Sequence, residues 1–471
     1  MVVKRTSGMH NKKNATLHLN ATIFREYDIR GLVDKELSKG LYELLGRAYG
    51  TYLHKHKTKK AVVGFDNRPS SEGYARAFID GLLSTGIDVV NIGCVASPMM
   101  YFARKHLKIN GGAIITASHN PKEFNGLKMA EGDGCIYGKE IQAVREIAEK
   151  GKFYAAAKKG TEKNFDILPD YLAVIKEKIK LKRKLKVVLD CGNGTASLST
   201  PKVLKALGCE LIELYCTSDG TFPNHHPDPT QESAMQDLIA KVKETNADVG
   251  IGIDGDGDRI GIADDKGNLV WGDMLMVLFA REVLARKKGA KVLMEIKCSQ
   301  ALWEEILKNG GKPVMSPTGH SIIEDKMHRE KAVLAGEMSG HIYFADEYYG
   351  FDDATYAAAR LLRLLSNSEK TISEMLASAP KYHTTPEIRA DCPEERKDFV
   401  VNAMKKKYKK LYPKSITIDG IRILFNDGWA LIRKSNTQPK LILRFEARTK
   451  EGLERMRGII EPEVQKLVAR G

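Results

Sequence analysis

The chain has 471 residues, too many for one hydrophobic core and enough for about three or four domain-sized units. With 42% hydrophobic residues, no apolar run of membrane-spanning length and a polar start, "MVVKRTSGMHNKKNATLHLN", it reads as a cytoplasmic protein without a membrane partner. The formal charge of +15 raises nucleic acid as a partner, but the lysine runs at 54–60, 175–186 and 404–410 read as solvated helix faces and loop margins with no nucleic-acid motif beside them.

Seven cysteines without a CxxC pair indicate neither a disulfide framework nor a zinc site, and free buried thiols are expected. In chain order, "AVVGFD" reads as a strand, "SSEGYARAFIDGLLSTG" as a helix closed by glycine, "DVVNIG" as a strand, "SPMMYFARKHL" as a helix and "GGAIITAS" as a strand. A second unit runs from "LKVVLDCGNGTA" to "ADVGIGIDGDGD". A third runs from "GDMLMVLFAREVLA" through "KVLMEIKCS" and "AVLAGEMSG" to the helix "DDATYAAARLLRLLS". These alternations predict three analogous mixed α/β domains with mostly parallel pairing. After about residue 373 the pattern changes: "ERKDFVVNAMKKKYKKLY" is helical, "GIRILFNDGWALIRKS" and "PKLILRFEAR" read as antiparallel strands, and "EGLERMRGIIEPEVQKLVA" is a closing helix, which predicts a C-terminal α+β domain. The expected domains are 1–158, 159–262, 263–373 and 374–471.

Two stretches carry the chemistry. In "IGIDGDGDRIGI", Asp254, Asp256 and Asp258 recur at every second residue, so an extended chain points the three carboxylates one way, and like charges that close call for a cation. An EF-hand loop shares the opening spacing but needs glycine where Arg259 stands and glutamate where Asp265 stands. Asp258 beside Arg259 suits a site where a metal and a guanidinium share a phosphate. In "ITASHNPKEFNGLK", Ser118 has the composition of a helix N-cap. Against that reading stand the adjacent His119, Lys128 after an Asn-Gly turn, and the absence of a GxSxG or SxxK hydrolase motif. A serine in this setting reads as a phosphate carrier, with Arg259, Lys128 and Arg30 as fixed cations for the dianion.

"TASHNP" with "NGLK", "DGDGDR", "GEMSGH" and "RKSNTQP", in that order, together with "FREYDIRG", "LDCGNG" and "PTGHS", resemble the signature loops of the α-D-phosphohexomutase family, phosphomannomutase/phosphoglucomutase branch, across essentially the whole chain. The resemblance implies four domains around a central active-site cleft, one signature loop from each. It implies a phosphorylated Ser118, Mg²⁺ held by Asp254, Asp256, Asp258 and a phosphoserine oxygen, and Arg30 near the phosphoserine. Sugar hydroxyls would meet Glu337 and Ser339, with His341, His320, Lys297 and Tyr27 binding the substrate beside them. Arg433, Ser435, Asn436 and Thr437 would grip the phosphate that is not reacting. The implied reaction moves phosphate between C1 and C6 of mannose and/or glucose through a phosphoserine enzyme and a bound hexose 1,6-bisphosphate. The protein would be a monomer or small homo-oligomer acting on a small phosphosugar. Lys128, His119 and His341 are open candidates for the general base and acid. Phosphoglucosamine mutase and a non-catalytic sugar-phosphate sensor are the alternatives; the intact Ser118, aspartates, Arg259 and Lys128 disfavour the sensor.

Overall fold

A computed structural model describes residues 19–435 and 439–469. Four sheets, one after another along the chain, carry the architecture. In the first, the strands Lys60–Phe65, Asp88–Cys94 and Gly111–Ile115 pair in parallel, the apolar runs of the first and third buried on both faces and Asp88–Cys94 only partly buried. Phe124–Glu131 continues that sheet antiparallel to Gly111–Ile115, and Ile29–Leu32 lies beyond it. Asn125 and Gly126 therefore sit inside a strand, which corrects the turn expected from their sequence. The physical reason is close packing: a Cβ on Gly126 would stand 2.4 Å from the Ile29 carbonyl oxygen and 2.7 Å from that of Thr116. Glu162–Asn164 adds a parallel edge strand to this first sheet.

The second sheet orders Leu269–Val270, Ile260–Ala263, Val249–Ile253, Lys186–Asp190 and Glu210–Leu214. Its three later members pair in parallel, and the hairpin from Val249–Ile253 to Ile260–Ala263 holds the aspartates at its tip. The third orders Lys312–Ser316, Lys291–Glu295, Leu334–Gly336 and Ile342–Phe344, again parallel with an antiparallel edge. The helix Ala354–Ser366 closes this part, opened by Asp353, whose carboxylate accepts from the Tyr356 amide. The fourth sheet is antiparallel throughout: His383–Thr384, Ile388–Asp391, Lys440–Ala447, Gly428–Lys434 and Ile421–Leu424, covered by the helices Glu394–Leu411 and Lys450–Ala469. The chain is thus three mixed α/β domains and an α+β C-terminal domain. The cysteines are free; Cys94, Cys209 and Cys216 are only half-buried. No described helix is long and apolar enough to cross a membrane.

Candidate functional site

Ser118 lies in the turn after the strand Gly111–Ile115, and no helix begins at it, so the N-cap reading does not apply. It is 3% exposed and its backbone is left-handed, at φ 52°. Non-glycine residues take that conformation rarely, so the surroundings must hold it. Its amide donates to Thr116 Oγ1 at 2.9 Å. Its hydroxyl donates to Asp254 Oδ2 at 3.1 Å and lies 3.1 Å from His119 Nδ1. The two loops singled out in the sequence, 136 residues apart, are therefore in contact.

At the hairpin tip the three carboxylates converge through a turn, not by alternation along a strand, with Gly257 at φ 83°. Asp254 Oδ1 accepts from the amides of Gly257, Asp258 and Arg259 at 3.0–3.1 Å. Asp256 Oδ2 accepts from Ser97 Oγ at 2.6 Å. Lys128 Nζ donates to Asp256 Oδ2 and Asp258 Oδ2, each at 2.7 Å. One oxygen from each aspartate falls within a 4.8 Å group, and Asp256 Oδ1 and Asp258 Oδ1 are buried without a hydrogen-bond partner. Burial, then the charges of Asp258 and Asp256, push the Asp254 carboxyl well above the ordinary carboxylate range. Orphaned hard oxygens and mutual repulsion are what a divalent cation relieves, so the donor set fits one. Burial opposes the Lys128 charge, but Asp256 and Asp258 outweigh it and hold the pKa up, which keeps the side chain an ammonium. His119 behaves oppositely: burial, then Arg259, lower its pKa well below the usual histidine value, so the ring facing Ser118 is neutral.

Arg259 Nε donates to His341 Nε2 at 2.8 Å. A guanidinium always keeps its protons, so Nε2 is the bare nitrogen and the imidazole proton sits on Nδ1, 2.7 Å from Asp352 Oδ2. His320 stacks on His341 with centroids 5.9 Å apart, and Tyr27 meets His320 edge-on at 6.2 Å while its hydroxyl donates to the Thr318 carbonyl at 2.7 Å. Arg30 donates to Asn120 Oδ1 at 2.8 Å, within the Ser118 loop, and pairs with Asp28.

Glu337 spreads its carboxylate between two donors, the Gly319 amide at 3.2 Å and Ser339 Oγ at 2.9 Å. Lys297 Nζ lies 3.2 Å from Glu387 and 3.7 Å from Glu295. Arg433 Nε donates to Asp419 Oδ2 at 2.8 Å, and the same oxygen accepts from the Thr318 amide at 3.2 Å. The Ser435 carbonyl accepts from Lys397 Nζ at 2.7 Å. Asn436 and Thr437 lie outside the described residues. The structure thus groups Ser118, His119, Lys128, Arg30 and the aspartates at one pole, and Glu337, Ser339, Lys297 and Arg433 at the other, with Arg259, His341, His320 and Tyr27 between; Ser435 contacts Lys397 of its own domain.

Sequence reading misses Asp352, Glu387, Asp419 and Asp228. Asp228 lies in "HHPDP", a stretch that turns alone explain; burial raises its pKa, but the charge of Arg259 and hydrogen bonds from Thr230 and Gln231 outweigh that and hold it far below the ordinary range. The concentration of His and Asp between prolines there is the one signal the sequence offered. Asp352, in "FDDAT", could have been suspected as an acid not needed for capping, since Asp353 does that. Glu387 and Asp419 carry no pattern.

Models of phosphoglucomutase/phosphomannomutase α/β/α domains I, II and III match residues 21–155, 169–267 and 271–382, and the model of the C-terminal domain matches 387–461. A Pseudomonas syringae pv. tomato protein named phosphomannomutase/phosphoglucomutase is 42% identical over 95% of this chain and 96% of its own length. A Neisseria meningitidis serogroup A phosphoglucomutase is 42% identical over 92% of this chain and 95% of its own. The crystal structure of a phosphoglucomutase/phosphomannomutase family protein from Burkholderia thailandensis superposes with a TM-score of 0.91 at 37% identity, covering 96% of this chain and 99% of that one.

Proposed function

Because the chain belongs to the α-D-phosphohexomutase family, we propose that it interconverts the 1- and 6-phosphates of mannose and/or glucose through phospho-Ser118 and a bound hexose 1,6-bisphosphate. The observation that carries this reading is the 3.1 Å hydrogen bond from Ser118 to Asp254, which joins a nucleophilic hydroxyl to a cation-seeking cluster. Asp254, Asp256 and Asp258 would hold Mg²⁺, which when bound supplies charge neutralisation at the phosphoryl oxygens.

The chain's own residues do the rest. Lys128, kept protonated between two aspartates, and Arg259 offer fixed positive charge beside Ser118. In the forward transfer the sugar oxygen forms its bond to phosphorus as the Ser118 Oγ–P bond breaks. His119 Nδ1, 3.1 Å from Ser118 Oγ, is placed to manage the seryl proton. His341, whose Nδ1 lies 2.7 Å from Asp352 Oδ2, is the imidazole for the sugar hydroxyl, once Arg259 leaves Nε2 for the phosphoryl oxygens. Glu337 and Ser339 receive ring hydroxyls; Lys297, His320 and Tyr27 border them. Arg433 and Ser435, with Asn436 and Thr437, hold the distal phosphate. The bisphosphate then turns and returns its other phosphoryl group to Ser118. A soluble cytoplasmic phosphosugar is the partner this chemistry calls for.

The test is a coupled assay on mannose 1-phosphate, glucose 1-phosphate and glucosamine 1-phosphate, with intact-mass analysis. The parent protein should carry one added phosphate and favour the first two sugars. Ser118→Ala should lose that mass and about 10⁴-fold or more in turnover. Full turnover by this variant, or preference for the amino sugar, would overturn the assignment.

A further inference from the structure

Ser118 needs something to hold its left-handed backbone, and the structure supplies it from the neighbouring strand-end loop, "FDNRPSS" at 65–71. Arg68 is 2% exposed, with its side chain entirely covered. Its guanidinium reaches under the Ser118 turn and binds four of that loop's carbonyl oxygens. Nη2 donates to Ser118 and Asn120, both at 2.7 Å, and Nη1 donates to Pro121 at 2.8 Å and Phe124 at 3.2 Å. The remaining N–H, on Nε, donates to Asp66 Oδ2 at 3.0 Å. The five donors an arginine carries are all engaged, so none remains for a phosphate or a sugar. Phe222 from the second domain lies beneath the guanidinium, 5.0 Å from ring centroid to Cζ.

Asp66 is itself fixed. Its amide donates to the Ile115 carbonyl at 2.9 Å, and its other oxygen accepts from Ser71, whose Oγ in turn accepts from Asn125 at 2.9 Å. Both ends of the turn are therefore tied to one buried framework. A lysine at position 68 would offer three donors on a flexible stem in place of a planar fork, so it cannot span four carbonyls.

We propose that Arg68 is a positioning residue for phosphoryl transfer: by gathering the carbonyls of residues 118–124 it keeps Ser118 Oγ aimed at the aspartate loop. It acts through Ser118 and touches no substrate. The inference rests on the reading of Ser118 as the phosphate carrier.

The experiment compares the parent, Arg68→Lys, Arg68→Ala and Ser118→Ala. Each is incubated with glucose 1,6-bisphosphate and followed by intact mass, and kcat and KM are measured for glucose 1-phosphate, Arg68→Ala with and without added guanidinium at tens of millimolar. Arg68→Lys should retain the parent's circular dichroism and keep KM within about twofold, while kcat and the rate of phosphate uptake fall together by about 100-fold. Guanidinium should restore about tenfold of the loss in Arg68→Ala. The role is overturned if both Arg68 variants take up phosphate at the parent's rate, if KM rises while uptake is unchanged, or if guanidinium restores nothing to a folded Arg68→Ala. If the parent carries no phosphate either before or after this treatment, or Ser118→Ala turns over normally, it is the reading of Ser118 that fails.

Discussion

Glu324 is a carboxyl group placed where its charged form is costly. It is 4% exposed, its Oε2 accepts from the Cys135 amide at 3.1 Å, and burial, then the charge of Asp352, raise its pKa to about 7 from an ordinary 4.5. Between those values the folded state binds a proton that the unfolded chain has released, so stability falls as pH rises. The contribution is whole below 4.5 and gone above about 7, and it amounts to about 3 kcal/mol. Glu324→Gln keeps the acceptor and removes the titration. Urea denaturation should find the variant more stable than the parent at pH 8 and close to it at pH 4.5; equal differences at both would refute the shift. Lys128 poses the opposite case, a buried cation between two anions. Lys128→Met leaves both carboxylates uncompensated, at a cost of about 3–5 kcal/mol. Calorimetry in EDTA should show a lowered melting temperature, most of it recovered with millimolar MgCl₂, while turnover stays at least about 100-fold down. A variant that melts like the parent in EDTA would show that Lys128 does not neutralise the cluster. Ser118, Asp254, Asp256, Asp258 and Arg259 were legible in the sequence because their chemistry lies in contiguous motifs. Asp352, Glu387 and Asp419 were not, because a single acidic residue acquires meaning only from a partner brought to it by the fold.

At the scale of elements, the strands that were legible are those buried on both faces, such as Gly111–Ile115 and Val249–Ile253, whose uninterrupted apolar runs end abruptly at polar residues. The edge pieces Gly134–Cys135, Leu269–Val270 and Glu162–Asn164 are too short to show a period, and only their place beside an existing sheet makes them strands. The Asn-Gly pair at 125–126 misled for a related reason: glycine serves turns and close strand approach alike, and sequence does not distinguish them. The contact between the first sheet's Ser118 turn and the second sheet's hairpin is itself an element-scale device. A Cβ on Gly255 would stand 2.5 Å from the Ser118 carbonyl oxygen and 3.3 Å from Pro227. Both neighbours are ring or backbone and cannot swing aside, so Gly255→Ala must separate the loops. Overpacking of this kind costs about 1–3 kcal/mol. Turnover should fall by about 100-fold, as expected when reacting groups are displaced by about 1 Å. Denaturation and the coupled assay check both; an alanine variant with normal turnover would mean that the loops need not touch.

For the molecule as a whole, the proposed function requires the last domain to be held against the third, because Lys297 and Arg433 come from either side of that boundary. The fastening is a buried arginine. Arg422, with no exposed surface, donates through Nη1 to the carbonyls of Ile296 and Cys298, each at 2.8 Å, and lies 3.8 Å over the Trp429 ring. Trp429 Nε1 and the Gln300 amide both donate to Glu446 Oε1 at 2.7 Å, and Arg444 donates to the Lys297 carbonyl. Burial lowers the Arg422 pKa to about 10, so it stays charged at neutral pH. The loop at 296–300 that carries Lys297 is thus shaped by side chains of the fourth sheet, and a shift of that domain moves Lys297 with it. Arg422→Met fills the volume but leaves two buried carbonyls unpaired, about 1–3 kcal/mol each. That loss weakens docking without touching Ser118, Lys128 or the aspartates. The expected signature is a rise in KM for glucose 1-phosphate of about tenfold with kcat within about threefold, since the two loops the proposed function gives to substrate binding lose their alignment before and after transfer alike. Small-angle scattering should show a larger radius of gyration than the parent's in the absence of substrate, approaching it at saturating glucose 1,6-bisphosphate, because ligand binding across the boundary favours the docked arrangement. If KM and scattering both match the parent, the boundary is held by its apolar contacts and Arg422 merely fills them.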